Sequence, residues 1–230
     1  MIEFILLLAQ FIAVTLVLSC HEFAHAFVAF KHGDSTAKIA GRMTLNPFKH
    51  FDPIGLVVFV LTGFGWAKPV PINPYNFKEY QKGCFWTSAA GIITNYAMAF
   101  LAYPLYVIAL HFLGAVSIEN TATYPILFLL RFLYATFACS LSFSVFNLLP
   151  VYPLDGFRIV DAVHKKRGKI YYFLRNYGYY LLLGLIFLGF FADRIPNFNF
   201  DVFGYIMHYL VAFFGKPITL LWDFIFGFII

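Results

Sequence analysis

Residues 4–30 read FILLLAQFIAVTLVLSCHEFAHAFVAF, an apolar stretch whose only charged residue is Glu22. Roughly 20 apolar residues suffice for a helix to cross the hydrocarbon of a bilayer, so this stretch predicts a transmembrane helix. Working outward, the whole chain has the same character. Of its 230 residues 61% are hydrophobic and 12% charged, and the mean hydropathy is +0.78. Soluble domains carry about 25% charged residues. The composition excludes an ordinary cytosolic enzyme, a disordered regulator and a nucleic-acid-binding module. It predicts an all-α polytopic membrane protein whose surroundings are a lipid bilayer.

About six hydrophobic segments are expected. After 4–30 come Gly83–Phe112, Tyr124–Leu149, Tyr177–Ala192, Val202–Phe214 and Pro217–Ile230, the last two separated by Gly215, Lys216 and Pro217. Pro53–Trp66 is short and is interrupted by Gly55, Gly63 and Gly65. It reads as a re-entrant or β-hairpin-like segment, which membrane depth tolerates only under a protein or cavity cover. The whole of 1–230 is expected to be one integral membrane domain, with a catalytic core over about 4–160 and additional hydrophobic segments over 177–230. Residues 31–82 hold seven Lys/Arg and residues 158–175 hold six, 13 of the 16 in the chain, while 113–122 holds none. Positive-inside bias then puts 31–82 and 158–175 on the cytoplasmic side. Cys20, Cys84 and Cys139 have no close pairing, and neither a disulfide framework nor a cysteine metal site is expected.

The string His21-Glu22-Phe23-Ala24-His25 carries the chemistry. On a helix, positions i and i+4 share a face, about 6 Å apart along the axis. Two imidazoles so placed can grip one Zn²⁺, with Glu22 able to reach a reacting water without being a ligand. Ionisable groups within a membrane span cost about 2.5–3.5 kcal/mol each on insertion scales and are functional candidates by default. The competing reading is that these side chains only hydrogen-bond within the bundle. A catalytic zinc keeps three protein ligands. Asp155 follows Pro150 and Pro153, which break the preceding helix and allow a carboxylate to turn inward. A simple Pro-Leu-Asp-Gly turn residue is the alternative.

HEFAH in a first span, paired with NLLPVYPLDG (Asn147–Gly156) at the end of a later one, resembles the site-2 protease family of intramembrane zinc metalloproteases. GRMTLNPFKHFDPIG (Gly41–Gly55) and GWAKPVPINPYNF (Gly65–Phe77) extend the likeness to the compact bacterial-type branch that lacks a PDZ domain. The resemblance implies one Zn²⁺ held by His21, His25 and Asp155, with Glu22 as catalytic acid/base, on a core of three helices over 4–30, 83–112 and 124–149. It also implies that Asn95, four residues after Gly91, orients substrate or stabilises the oxyanion. Interhelical packing is the other reading of that Gly/Asn pair.

The implied activity is hydrolysis of peptide bonds within or near transmembrane segments, in regulated intramembrane proteolysis or signal-peptide clearance. The substrate is then a transmembrane protein or peptide, the location a bacterial cell membrane, and the active site lies toward the cytoplasm. Gly63 and Gly65 are candidate substrate-binding positions, because a glycine-interrupted edge could pair with an unwound substrate. A zinc or proton transporter using the same His/Glu/Asp cluster is the alternative function, although the chain lacks the internal repeat that transporters favour. His50 and Asp52 are expected to serve a hydrogen-bonded loop or a substrate gate more than a second metal site.

Overall fold

Ile2–Lys31 form one helix, α1, because no glycine or proline interrupts the apolar run. It stops at His32 and Gly33, where Gly33 takes a left-handed φ of 112°. A Cβ at Gly33 would also stand 2.9 Å from the Asn76 carbonyl, so this turn requires glycine. The computed structural model describes residues 1–52, 54–55, 67–113, 123–164, 167–192 and 201–227. The other described helices are α2 (Thr36–Ile39), α3 (Tyr80–Leu113), α4 (Tyr124–Leu148), α5 (Asp155–Val163), α6 (Lys169–Ala192) and α7 (Val202–Phe226). Helices α1, α3, α4 and α7 are long and apolar enough to cross a membrane. The expected all-α polytopic architecture is the one observed.

The expected three-helix core is α1, α3 and α4, each packed against the other two. Lipid gives no hydrophobic drive between spans, so close packing must hold them, and small residues permit it. The buried positions agree: Ala9, Ala13, Ser19, Ala24, Ala26 and Ala29 on α1, Thr87 to Gly91 on α3, and Ala135, Ser140 and Ser144 on α4. Ser144 Oγ donates to the Ile92 carbonyl at 3.0 Å, tying α4 to α3. Arg131 donates from Nη2 to Gln10 Oε1 at 2.6 Å and ties α4 to α1. The short helix α5 packs under α3 and α4.

Between α1 and α3 the chain makes a compact loop structure. Asn46 and Asn73 each precede a proline and accept a hydrogen bond from a backbone N–H two residues on, starting 3-10 turns at Pro47–Lys49 and Pro74–Asn76. Asp34 accepts from the backbone N–H groups of Thr36 and Asn73, the Thr36 hydroxyl and the Asn76 amide, and is fully buried. His50 and Asp52 behave as the hydrogen-bonded loop reading expected: His50 Nε2 lies 2.7 Å from the Thr44 carbonyl, and Asp52 Oδ1 accepts from Ile54 and Gly55 N–H. Most of the expected re-entrant segment, including Gly63 and Gly65, lies outside the described residues. Phe51 and Ala67, which flank it, form an antiparallel bridge.

The C-terminal half departs from the reading of the sequence. Val202–Phe214 and Pro217–Ile230 were expected as separate segments, but Val202–Phe226 is one helix with Pro217 inside it. Proline removes one intrahelical bond and loosens the turn before it. Hydrogen bonds to α3 hold the helix on both sides of the proline: the Tyr96 hydroxyl of α3 donates to the Phe214 carbonyl at 3.0 Å, and Trp222 Nε1 donates to the Phe100 carbonyl at 3.0 Å. Ile218, next to the proline, is 1% exposed in a cluster with Ala99, Leu141 and Val145. Packing against α3 and α4 thus carries the helix through a local break signal. The described molecule has five long helices in place of six separate segments.

Candidate metal centre

Helical spacing puts His21 and His25 on one face of α1, with ring centroids 4.5 Å apart. α4 ends at Leu148, the chain turns through Pro150 and Pro153, and α5 begins at Asp155. Gly156 lets this start press against the end of α4, since a Cβ there would stand 2.6 Å from the Leu149 carbonyl oxygen. The turn aims Asp155 at the α1 face. His21 Nε2 and His25 Nε2 are 2.9 Å apart, and Asp155 Oδ2 lies 3.3 and 3.1 Å from them. All three residues are buried, at 6%, 6% and 7% exposure. Among the described residues they are the one group of three or more His, Cys, Asp and Glu placed to hold a metal ion.

The chemistry of this triangle decides what fits in it. His25 Nδ1 lies 2.6 Å from the Thr87 carbonyl, which can only accept. His25 therefore carries its proton on Nδ1 and turns a lone pair at Nε2 toward Asp155. His21 Nδ1 lies 3.1 Å from the carboxamide of Asn95, a residue with no exposure. Asn95 Oδ1 has no partner as the amide is oriented. Carboxamide oxygen and nitrogen are interchangeable in shape. With the oxygen toward His21, Asn95 accepts the Nδ1 proton, its orphan oxygen is satisfied, and His21 Nε2 also presents a lone pair. Asp155 Oδ2 is itself buried without a hydrogen-bond donor. Three acceptors then face one another across 2.9–3.3 Å, which repels unless a cation lies among them. Zn–N distances of 2.0–2.1 Å in a tetrahedron separate ligand atoms by about 3.3 Å, so the residues present fit zinc.

Glu22 is 9% exposed, and its Oε2 accepts the Val70 backbone N–H at 2.8 Å. Among the described residues no donor reaches its other oxygen. Gly91 lies under the histidines, where a Cβ would come within 2.6 Å of imidazole atoms of both His21 and His25. The structure thus brings together His21, Glu22, His25, Asn95 and Asp155, whereas Gly63 and Gly65 lie outside the described residues. The reading of the sequence missed the Thr87 carbonyl and the Val70 N–H. Thr87 gave no signal, because the contributing atom belongs to the backbone. Val70 gave a faint one: it holds the single N–H in Pro69-Val70-Pro71.

Comparison with known proteins points to one family. Residues 109–189 match the model of Peptidase family M50, a span that contains Asp155 and begins well after the HEFAH helix. The chain is 40% identical over 156 residues, 67% of its own length and 69% of the relative's, to the protein named "Putative zinc metalloprotease YwhC" of Bacillus subtilis (strain 168). It is 31% identical over 164 residues to "Putative zinc metalloprotease Rip2" of Mycolicibacterium smegmatis (strain ATCC 700084 / mc(2)155), covering 69% of this chain and 57% of that one. No solved structure matches.

Proposed function

This chain belongs to Peptidase family M50, and from that premise we propose that His21, His25 and Asp155 are the zinc ligands of an intramembrane metalloprotease whose catalytic acid/base is Glu22. The protein is a zinc-dependent endopeptidase of the membrane, and its substrates are membrane-embedded chains. The observation that carries the residue assignment is the triangle of three buried acceptor atoms beside the Glu22 carboxylate. The transport alternative draws no support from the family or from the site.

Zinc, when bound, supplies Lewis acidity that polarises the scissile carbonyl and makes a water acidic near neutral pH. The protein's own residues do the rest. Glu22 removes the attacking water's proton and returns it to the leaving amine. Thr87 and Asn95 fix the tautomers and ring planes of His25 and His21, as partners of ligating histidines usually do. The full burial of Asn95 against His21 favours this positioning role over direct contact with the oxyanion.

On the distribution of Lys and Arg, the site opens toward the cytoplasmic side of a bacterial cell membrane. Gly63 and Gly65 keep their proposed part in pairing with an unwound substrate; proline at either position should impair cleavage and leave zinc content intact. The central test is zinc content and cleavage of a transmembrane substrate by detergent-purified protein. About one zinc per chain, lost in Asp155→Ala and kept in an inactive Glu22→Gln, is the expected result. Full zinc in Asp155→Ala would remove Asp155 from the ligand set.

A further inference from the structure

Glu22 is held by a loop as well as by its own helix. Its Oε2 takes the N–H of Val70, and the neighbouring Pro69 and Pro71 have none to give. The stretch from Lys68 to Val70 is pinned from behind at several points. Arg42 Nη2 donates to the Lys68 carbonyl at 2.6 Å and to the Pro69 carbonyl at 3.4 Å. Lys68 N–H donates to the His50 carbonyl at 2.8 Å. The Val70 side chain is 7% exposed and packs with Ala26 of α1 and Ala37 of α2. Arg42 is itself 8% exposed, and its Nε is buried without a partner among the described residues. Burying a guanidinium with backbone carbonyls as its bonded partners is costly, so the site gains something from the arrangement.

A general base must face the reacting water in one orientation, and a carboxylate on a freely rotating side chain does not. From these contacts we infer that Val70 and Arg42 are positioning residues for Glu22. The Val70 N–H fixes one carboxylate oxygen, leaving Oε1 for the proton. Arg42 sets the height of that N–H by holding the two preceding carbonyls. Two prolines stiffen the segment and leave Glu22 as the sole claimant on its backbone donor. The inference rests on the acid/base role assigned to Glu22 above, and neither Val70 nor Arg42 touches substrate or metal in it.

The test measures zinc content, kcat and KM for a transmembrane substrate in detergent-purified full chains of wild type, Glu22→Gln, Val70→Pro, Val70→Ala, Arg42→Lys and Arg42→Ala. Misplacing a catalytic group by about 1 Å can cost about 100-fold. Val70→Pro, which deletes the N–H, is expected to lower kcat about 10- to 100-fold with zinc and KM near wild type. Val70→Ala, which keeps the N–H, recovers most of that kcat. Arg42→Ala falls in the same direction, and Arg42→Lys recovers part of the loss. Full kcat in a zinc-loaded Val70→Pro overturns the inference. Should Val70→Pro lose its zinc, the Arg42 series decides: kcat descending from wild type through Arg42→Lys to Arg42→Ala at constant KM supports it, and equal kcat across the three overturns it. Zinc loss in both Val70→Pro and Arg42→Ala overturns it as well, because the loop would then build the metal site instead of aiming Glu22. A wild type that does not cleave, or a Glu22→Gln that does, sinks the underlying reading of Glu22 and is separable from every loop outcome.

Discussion

Asp34 and Asp155 are both buried carboxylates, 0% and 7% exposed, set in opposite surroundings. Around Asp34 everything donates: two backbone N–H groups, a hydroxyl and an amide. Around Asp155 Oδ2 stand two imidazole nitrogens and no donor once the outer ring nitrogens take their protons. A buried charge must be compensated by hydrogen bonds, an opposite charge or a metal. Asp34 is compensated within the fold, and it joins the end of α1 to the Asn73–Asn76 turn. Asp155 Oδ2 finds no donor among the described residues of the fold, as its proposed ligand role requires. Burial alone therefore does not separate a structural carboxylate from a proposed metal ligand; the direction of the surrounding hydrogen bonds does.

The sharpest way to break this contrast is to exchange the two losses. Asp155→Asn is expected to lower zinc retention and cleavage by on the order of 100-fold or more, while Asp34→Asn keeps its zinc; metal analysis of the two purified variants reads the difference. Next in size is Gly91→Ala, whose methyl group drives into both imidazoles. Zinc affinity should fall about 10- to 100-fold, even though alanine favours the helix by about 1 kcal/mol. Chelator competition measures the affinity, and helicity by circular dichroism should hold. Asn95→Ala comes third, with about a tenfold loss of zinc affinity. A variant with wild-type affinity and lowered kcat would instead return Asn95 to the oxyanion.

The smallest effect is at Asp34 itself. Burial pushes its carboxyl up, but the hydrogen bonds from Thr36, Asn76 and Asn73 outweigh that and hold it below the usual aspartate range. A folded-state value below the unfolded one stabilises the protein above the unfolded pKa, about 3.9, and the gain is lost as pH falls through that value toward the folded one. Wild type should therefore lose thermal stability between about pH 5 and pH 3. Asp34→Asn, less stable near neutral pH by about 1–3 kcal/mol, should lose less over the same interval. Melting curves in detergent across that range would show parallel losses if the contrast were wrong.

Much of this site was legible beforehand because it is written in side chains. Two histidines four apart around a glutamate, inside an otherwise apolar span, have few structural uses. The proline-flanked Asp155 stood out among few carboxylates. What escaped was backbone chemistry: the Thr87 carbonyl that sets the His25 tautomer and the Val70 N–H on Glu22 belong to groups every residue carries. The C-terminal helix was misread for a different reason. Gly215-Lys216-Pro217 is a genuine local break signal, and only the hydrogen bonds and packing from α3 and α4 override it. Local sequence ranks these propensities correctly and lacks the partner that decides between them.

The prolines on either side of Val70 have one more consequence. From Pro69 to Pro71 the chain carries a single backbone N–H, and it is spent on Glu22. An extended segment normally offers a neighbour alternating donors and acceptors, which is how sheets grow and how unwound chains stick to one another. This one has only carbonyls left to offer. Sheet growth ends there, so an unwound chain cannot be zipped onto this stretch as a stable extra strand.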